Sequence, residues 1–245
     1  MNSFQEAAAF AHQLIPSSIN PFILCRELGI EIVCDRALHK DGYLICEDGC
    51  KLILVSSRIG NAHRRKFIIS HEIGHFLLHR DQMYCCSNVS EIETRRINSS
   101  AQEYEANSFA SEYLLPQSQL VRVLPKKDIS FSDISRIADQ FDVSMTFCAI
   151  KAVQLSNSEN EVLLCYDGQT LKWFSSSDKS LYFDSLPPNC PVELKNAQSR
   201  ADIVGVWDSL YNGSVHQEIF HPFQNLSLVL LSGERRSIEE DQNEY

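Results

Sequence analysis

Apolar positions along this chain follow two periodicities. Up to about residue 155 they recur mainly at helical spacing, and beyond residue 160 they come in short β-type runs between turn signals. Residues 3–15 and 20–29 read as helices. They break at Pro16 and restart at Asn20-Pro21, with proline at an early helical position and Gly29 as the terminator. Glu31 to Cys34, Gly42 to Cys46 and Lys51 to Val55 read as strands of a small antiparallel sheet, the last two joined across Asp48-Gly49. A long helix is predicted over 58–80. A second one runs to Pro116, with Ala106, Phe109, Ala110, Tyr113 and Leu114 at helical spacing. Residues 82–100 are polar and poor in periodicity, which predicts a loop beside the long helix, a candidate lid.

Residues 131–150 resemble a helix-turn-helix, with Ser144 as N-cap of the second helix. The polar stretch Gln154 to Asn160 separates this part from short strands at 161–166, 171–174, 203–207, 218–220 and 226–231, with turn signals at Asp167-Gly168 and Asn212-Gly213. The expected fold class is α+β. A mainly helical domain over 1–155 carries a small antiparallel sheet, a small β-rich C-terminal domain covers 161–236, and an acidic tail covers 237–245.

Charge narrows the partners. Lys and Arg number 22 against 32 Asp and Glu, a formal net charge of −10. Contact with phosphates needs a basic surface, so an acidic chain is a poor non-specific DNA binder. The helix-turn-helix-like segment carries Asp133, Asp139 and Asp142, while Met145, Thr146, Phe147 and Ala149 offer little to base edges. Direct DNA binding is therefore disfavoured, and the helix pair is expected to pack on the neighbouring helices instead. Nine cysteines, an odd number at irregular spacing, do not form a disulfide framework. The N-terminus lacks a basic leader and no apolar run is long enough to span a bilayer. A soluble cytoplasmic protein is expected, with no membrane partner.

Candidate chemistry is concentrated in His71-Glu72-Ile73-Gly74-His75, an H-E-x-x-H box inside the long apolar helix. Residues four apart on a helix lie one above the other, so His71 and His75 can share one ion. Glu72 can then reach water beside it. Two imidazoles, an open position and a carboxylate base are what a zinc hydrolase requires. The surrounding residues Phe67, Ile68, Ile69, Ile73, Phe76, Leu77 and Leu78 imply burial. Buried imidazoles and carboxylates are costly unless paired, hydrogen-bonded or bound to metal.

A third ligand must come from elsewhere. His79 lies eight residues from His71, about 12 Å along a helix axis, too far for one ion. Glu105 adjoins the apolar face of the downstream helix and is the expected ligand, with Glu103 as the alternative. His79 is then a helix-end residue. Asn107 is a candidate partner for a ligating histidine, and Tyr104, Tyr113 and His79 are candidate oxyanion stabilisers.

Arg65 to His79, followed by Glu105-Ala106-Asn107-Ser108-Phe109-Ala110 and Leu114-Leu115-Pro116, resembles the ImmA/IrrE family of metallo-endopeptidases. The resemblance covers roughly residues 15–155. It implies a zincin-like peptidase domain with Zn2+ held by His71, His75 and Glu105, and Glu72 as general base. It further implies a bacterial, intracellular protein that cuts or inactivates a helix-turn-helix repressor of mobile-element or stress genes. Phe109 stands where thermolysin-like enzymes place an acidic residue that supports a ligating histidine, so that support must come from another residue. The expected function is zinc-dependent endopeptidase. The alternative is a non-catalytic, zinc-containing module that binds a repressor.

Overall fold

Short polar side chains start the N-terminal helices. Ser3 Oγ accepts the Glu6 N–H (3.2 Å) at the head of α1, Phe4–Leu14. Asn20 Oδ1 accepts the Phe22 N–H (2.9 Å) at the head of α2, Pro21–Leu28, which Gly29 ends in the left-handed region at φ 68°. Asn61 Oδ1 likewise caps α3, Ala62–Leu78, through the Arg64 N–H (2.9 Å). The computed structural model describes residues 3–79 apart from 17 and 48, residues 101–191 apart from 157 and 159, and residues 200–236 apart from 224. The expected loop over 82–100 and the tail over 237–245 lie outside the described residues.

Three strands, β1 (Glu31–Asp35), β2 (Gly42–Glu47) and β3 (Cys50–Ser56), form a sheet in the order β1-β3-β2. The expected antiparallel hairpin is β2 with β3; β1 joins the other side of β3 in parallel. Helices α4 (Ala101–Leu114) and α5 (Gln117–Val123) follow, then α6 (Phe131–Phe141) and α7 (Met145–Gln154). The remaining strands are β4 (Val162–Asp167), β5 (Thr170–Ser176), β6 (Arg200–Val204), β7 (Tyr211–Phe223) and β8 (Leu226–Arg235). They form one antiparallel sheet in the order β5-β4-β8-β7-β6. The α+β class is as the sequence predicts. No described helix is long and apolar enough to cross a membrane.

The chain divides into two compact units, Met1–Gln119 with Phe141–Ser144, and Leu120–Gln140 with Met145–Tyr245. This differs from the expected division at residues 155–161. Packing groups α6 and α7 with the strands, because α7 is buried from Phe147 to Val153 and Ser175 Oγ donates to the Ile150 carbonyl (3.3 Å). Two sheet carboxylates also hold the start of α6. Glu161 Oε1 accepts the Ile129 N–H (2.5 Å) and Glu218 Oε2 the Phe131 N–H (2.7 Å). The helix pair thus shares the core of the second unit. Only its turn is part of the first unit: Asp142, at φ 53°, pairs with Lys66 and His63 on α3.

Within the second unit one turn signal and one end of an expected strand have other outcomes. Asn212-Gly213 is not a hairpin turn but an irregularity inside β7, where the register shifts and Gly213 takes φ 74°. Trp207 is not in a strand. Its buried indole N–H donates to Gln217 Oε1 (3.0 Å), which anchors the loop before β7.

Glu161 has a measurable consequence. Burial raises its carboxyl above the ordinary value, against the lowering effect of hydrogen bonds from Ser156 and Ile129. A group whose folded pKa exceeds its unfolded value contributes stability that is full below the unfolded pKa, about 4.3 for glutamate, and is lost as pH rises through the folded pKa. Glu161→Gln keeps the acceptor for Ile129 and removes the titration. The variant should gain stability relative to wild type as pH rises from 4 toward neutrality, read from urea midpoints across that range. Parallel midpoints at all pH values would contradict this.

Candidate metal centre

The H-E-x-x-H box lies in the middle of α3, and every residue from Phe67 to Leu77 is buried. What brings a second helix against it is the absence of side-chain bulk. A methyl group added at Gly74 would stand 3.0 Å from Ala106 Cα and 3.1 Å from both the Ala106 carbonyl oxygen and Phe109 Cδ1. Gly74 and Ala106 therefore mark the close crossing of α3 with α4. Gly74→Ala should destabilise the fold: overpacking against backbone costs about 1–3 kcal/mol, more than the roughly 1 kcal/mol alanine gains in helix propensity. A denaturation midpoint unchanged or raised would show that the crossing has slack.

At that crossing three donors converge. His71 Nε2 and His75 Nε2 are 3.1 Å apart, and each lies 3.4 Å from an oxygen of Glu103. These three residues are the group able to hold a metal ion among the described residues. The separations suit one ion. A tetrahedron with bonds of about 2.0–2.1 Å has edges of about 3.3–3.4 Å. The donor set, two imidazoles and one carboxylate with a fourth position left open, is that of a catalytic zinc site. Burial by itself would raise the Glu103 carboxyl, but hydrogen bonds and charge from His71 and His75 outweigh it and hold the group well below its ordinary range.

The expected third ligand was Glu105, and here the structure departs from expectation. Glu103, the alternative, faces the histidines, with 20% of its side chain exposed, whereas Glu105 is 48% exposed and its Oε2 lies 2.7 Å from His79 Nε2. Helical phase is the reason. Glu103, Ala106, Ala110 and Tyr113 follow one another at spacings of three, four and three, and the last three are buried. Glu105 falls off that stripe. The periodicity was visible in the sequence, but the contrast between the two glutamates needed the position of α3.

Each histidine of the cluster is held from behind. His71 Nδ1 lies 2.9 Å from Asn107 Oδ1, so Asn107, four residues after Glu103, serves as the support that Phe109 cannot provide. His75 Nδ1 lies 3.2 Å from His79 Nδ1. Glu72 is fully buried. Its neighbour is Gly42 at the start of β2, where an added methyl group would stand 2.7 Å from Glu72 Oε1 and 2.5 Å from Ile68 Cγ2. The bare backbone of Gly42 therefore makes room for the carboxylate, a role that sequence reading missed because a strand-edge glycine reads only as a turn residue. Of the candidate oxyanion stabilisers, Tyr113 is buried between His12 and Phe109, Tyr104 is half-exposed, and His79 stands behind His75.

None of the curated proteins matches the chain. Among solved structures, a Mycobacterium tuberculosis transcriptional regulator shares the fold, with a TM-score of 0.57 at 14% identity over 94% of this chain and 75% of that one. The model of the metallopeptidase family Peptidase M78, described as the IrrE N-terminal-like domain, matches residues 25–152, a span that includes α3 and α4 with all three donors and Glu72. More than half of the chain lies within that match, and the chain belongs to the Peptidase M78 family.

Proposed function

We propose that the protein is a zinc-dependent endopeptidase that cuts a regulatory protein, with a helix-turn-helix repressor as the substrate class. The observation that carries this reading is the His71–His75–Glu103 cluster, its two histidines buried, with Glu72 beside it on α3. His71, His75 and Glu103 would hold the ion. A bound Zn2+ supplies Lewis acidity toward a scissile carbonyl and a water molecule. Glu72 takes the proton of the attacking water and returns it to the departing amine, and its burial keeps this exchange from bulk solvent.

The sheet edge suits an extended chain. The Ser56 N–H donates to the Asp41 carbonyl (2.9 Å), and antiparallel ladders alternate, so the main-chain groups of Gly42 and Leu44 face away from β3. That edge begins at the glycine packed on Glu72. A polypeptide added along β2 would run past the base, and main-chain pairing would accept many side chains. The repressor class rests on the family likeness.

The test is to incubate the zinc-loaded protein with the helix-turn-helix regulator encoded beside it and follow intact masses. Two fragments that sum to the regulator plus one water, absent after chelation and restored by Zn2+, are expected. Loss of the regulator's DNA binding without any cut would move the assignment to a non-catalytic binding module.

A further inference from the structure

Glu105 and His79 lie outside the His71–His75–Glu103 group, yet they form a hydrogen-bonded chain that ends on His75. We infer that Glu105 and His79 are positioning residues, a carboxylate–imidazole relay that fixes the tautomer and ring orientation of His75. This deepens the reading of the metal centre and rests on it.

The argument is one of proton count. A histidine that offers Nε2 to an ion carries its hydrogen on Nδ1. His75 Nδ1–H must then donate to His79 Nδ1, 3.2 Å away, which requires a lone pair there. His79 therefore carries its own hydrogen on Nε2, where Glu105 Oε2 accepts it at 2.7 Å. Every donor meets an acceptor in this arrangement, and only a pure acceptor at the Glu105 position selects it. With Glu105 truncated that selection is lost, and the other tautomer of His79 sets N–H against N–H at His75. The two ligands are thus held differently: His71 by the amide of Asn107 and His75 by a ring whose proton a carboxylate fixes. Half-exposure of Glu105 fits this role, since a carboxylate that only orients needs no burial.

The experiment measures metal binding alone, so it needs no substrate and stands apart from whether any regulator is cut. Full-length wild type, Glu105→Ala, Glu105→Gln, His79→Phe and Glu103→Ala are titrated with Zn2+ against a competing chelator, and the visible spectrum of each Co2+-loaded form is recorded. Loss of an outer partner of a metal ligand costs about 10–100-fold in affinity. Glu105→Ala and His79→Phe should fall in that range with an altered Co2+ spectrum. Glu105→Gln, whose amide can donate as well as accept, should recover only part of the loss. Thermal unfolding of the metal-free Glu105 variants should match wild type, which separates orientation of His75 from support of the fold. Wild-type affinity and spectrum in Glu105→Ala would overturn the relay. So would a Glu105→Ala protein that loses metal as completely as Glu103→Ala, since Glu105 would then be a ligand. A wild type that takes up no metal would remove the centre and the relay together.

Discussion

Glu72→Gln should retain the metal and the fold and lose about 10²–10⁴-fold in cleavage rate, the range supplied by a positioned general acid–base group. Glutamine is nearly isosteric, so the space that Gly42 leaves beside Glu72 Oε1 still fits it. The substitution therefore isolates proton transfer from packing. A neutral amide cannot take a proton from water. Zinc content and thermal midpoint report the intact centre, and single-turnover cleavage of the regulator reports the base. A Glu72→Gln protein that cuts at the wild-type rate would show that another group moves the proton. Enlarging Gly42 is the complementary perturbation: Gly42→Ala keeps the carboxylate but displaces it, so turnover should fall while zinc content persists.

Glu103→Ala should have the largest effect on metal content. It removes one of three protein donors, leaving the two imidazoles 3.1 Å apart without the carboxylate that closes the site. The loss of zinc affinity should exceed the roughly 10–100-fold expected for an outer partner. Cleavage should disappear with the metal and return partly at high Zn2+. The two neighbouring glutamates thus make a paired test, in which Glu103→Ala empties the centre and Glu105→Ala weakens it. A reversed order of effects would return Glu105 to the ligand role the sequence motif first suggested.

Why that assignment changed is a matter of helical phase. Two residues of separation turn a side chain by about 200° around a helix axis. Glu103 lies on the buried stripe and Glu105 at its flank, yet both have buried residues three or four positions on. Local periodicity could rank neither decisively. The crossing of α3 at Gly74 and Ala106 breaks the tie, because it determines which side of α4 meets the histidines. The same separation between local pattern and packing appears in the second unit. The helix pair α6–α7 resembles a helix-turn-helix by its spacing, and only packing shows α7 buried along Phe147 to Val153 and the head of α6 held by Glu218. Asn212-Gly213 carries a hairpin signature but forms a bulge in β7, since the strand continues to pair with β8 on both sides.

By itself the sequence determined the His71–Glu72–His75 face, the burial of its helix, the helix caps at Asn20 and Asn61, and the change from helices to strands. These depend on neighbours within a few residues, where 3.6-residue and two-residue periodicities act directly. Tertiary structure alone decided which glutamate faces the histidines, the supports behind each histidine, the room that Gly42 makes for Glu72, and the grouping of α6 and α7 with the strands. Each of these joins groups distant in the chain, and such contacts follow from which small residues permit close approach and which faces remain to be buried.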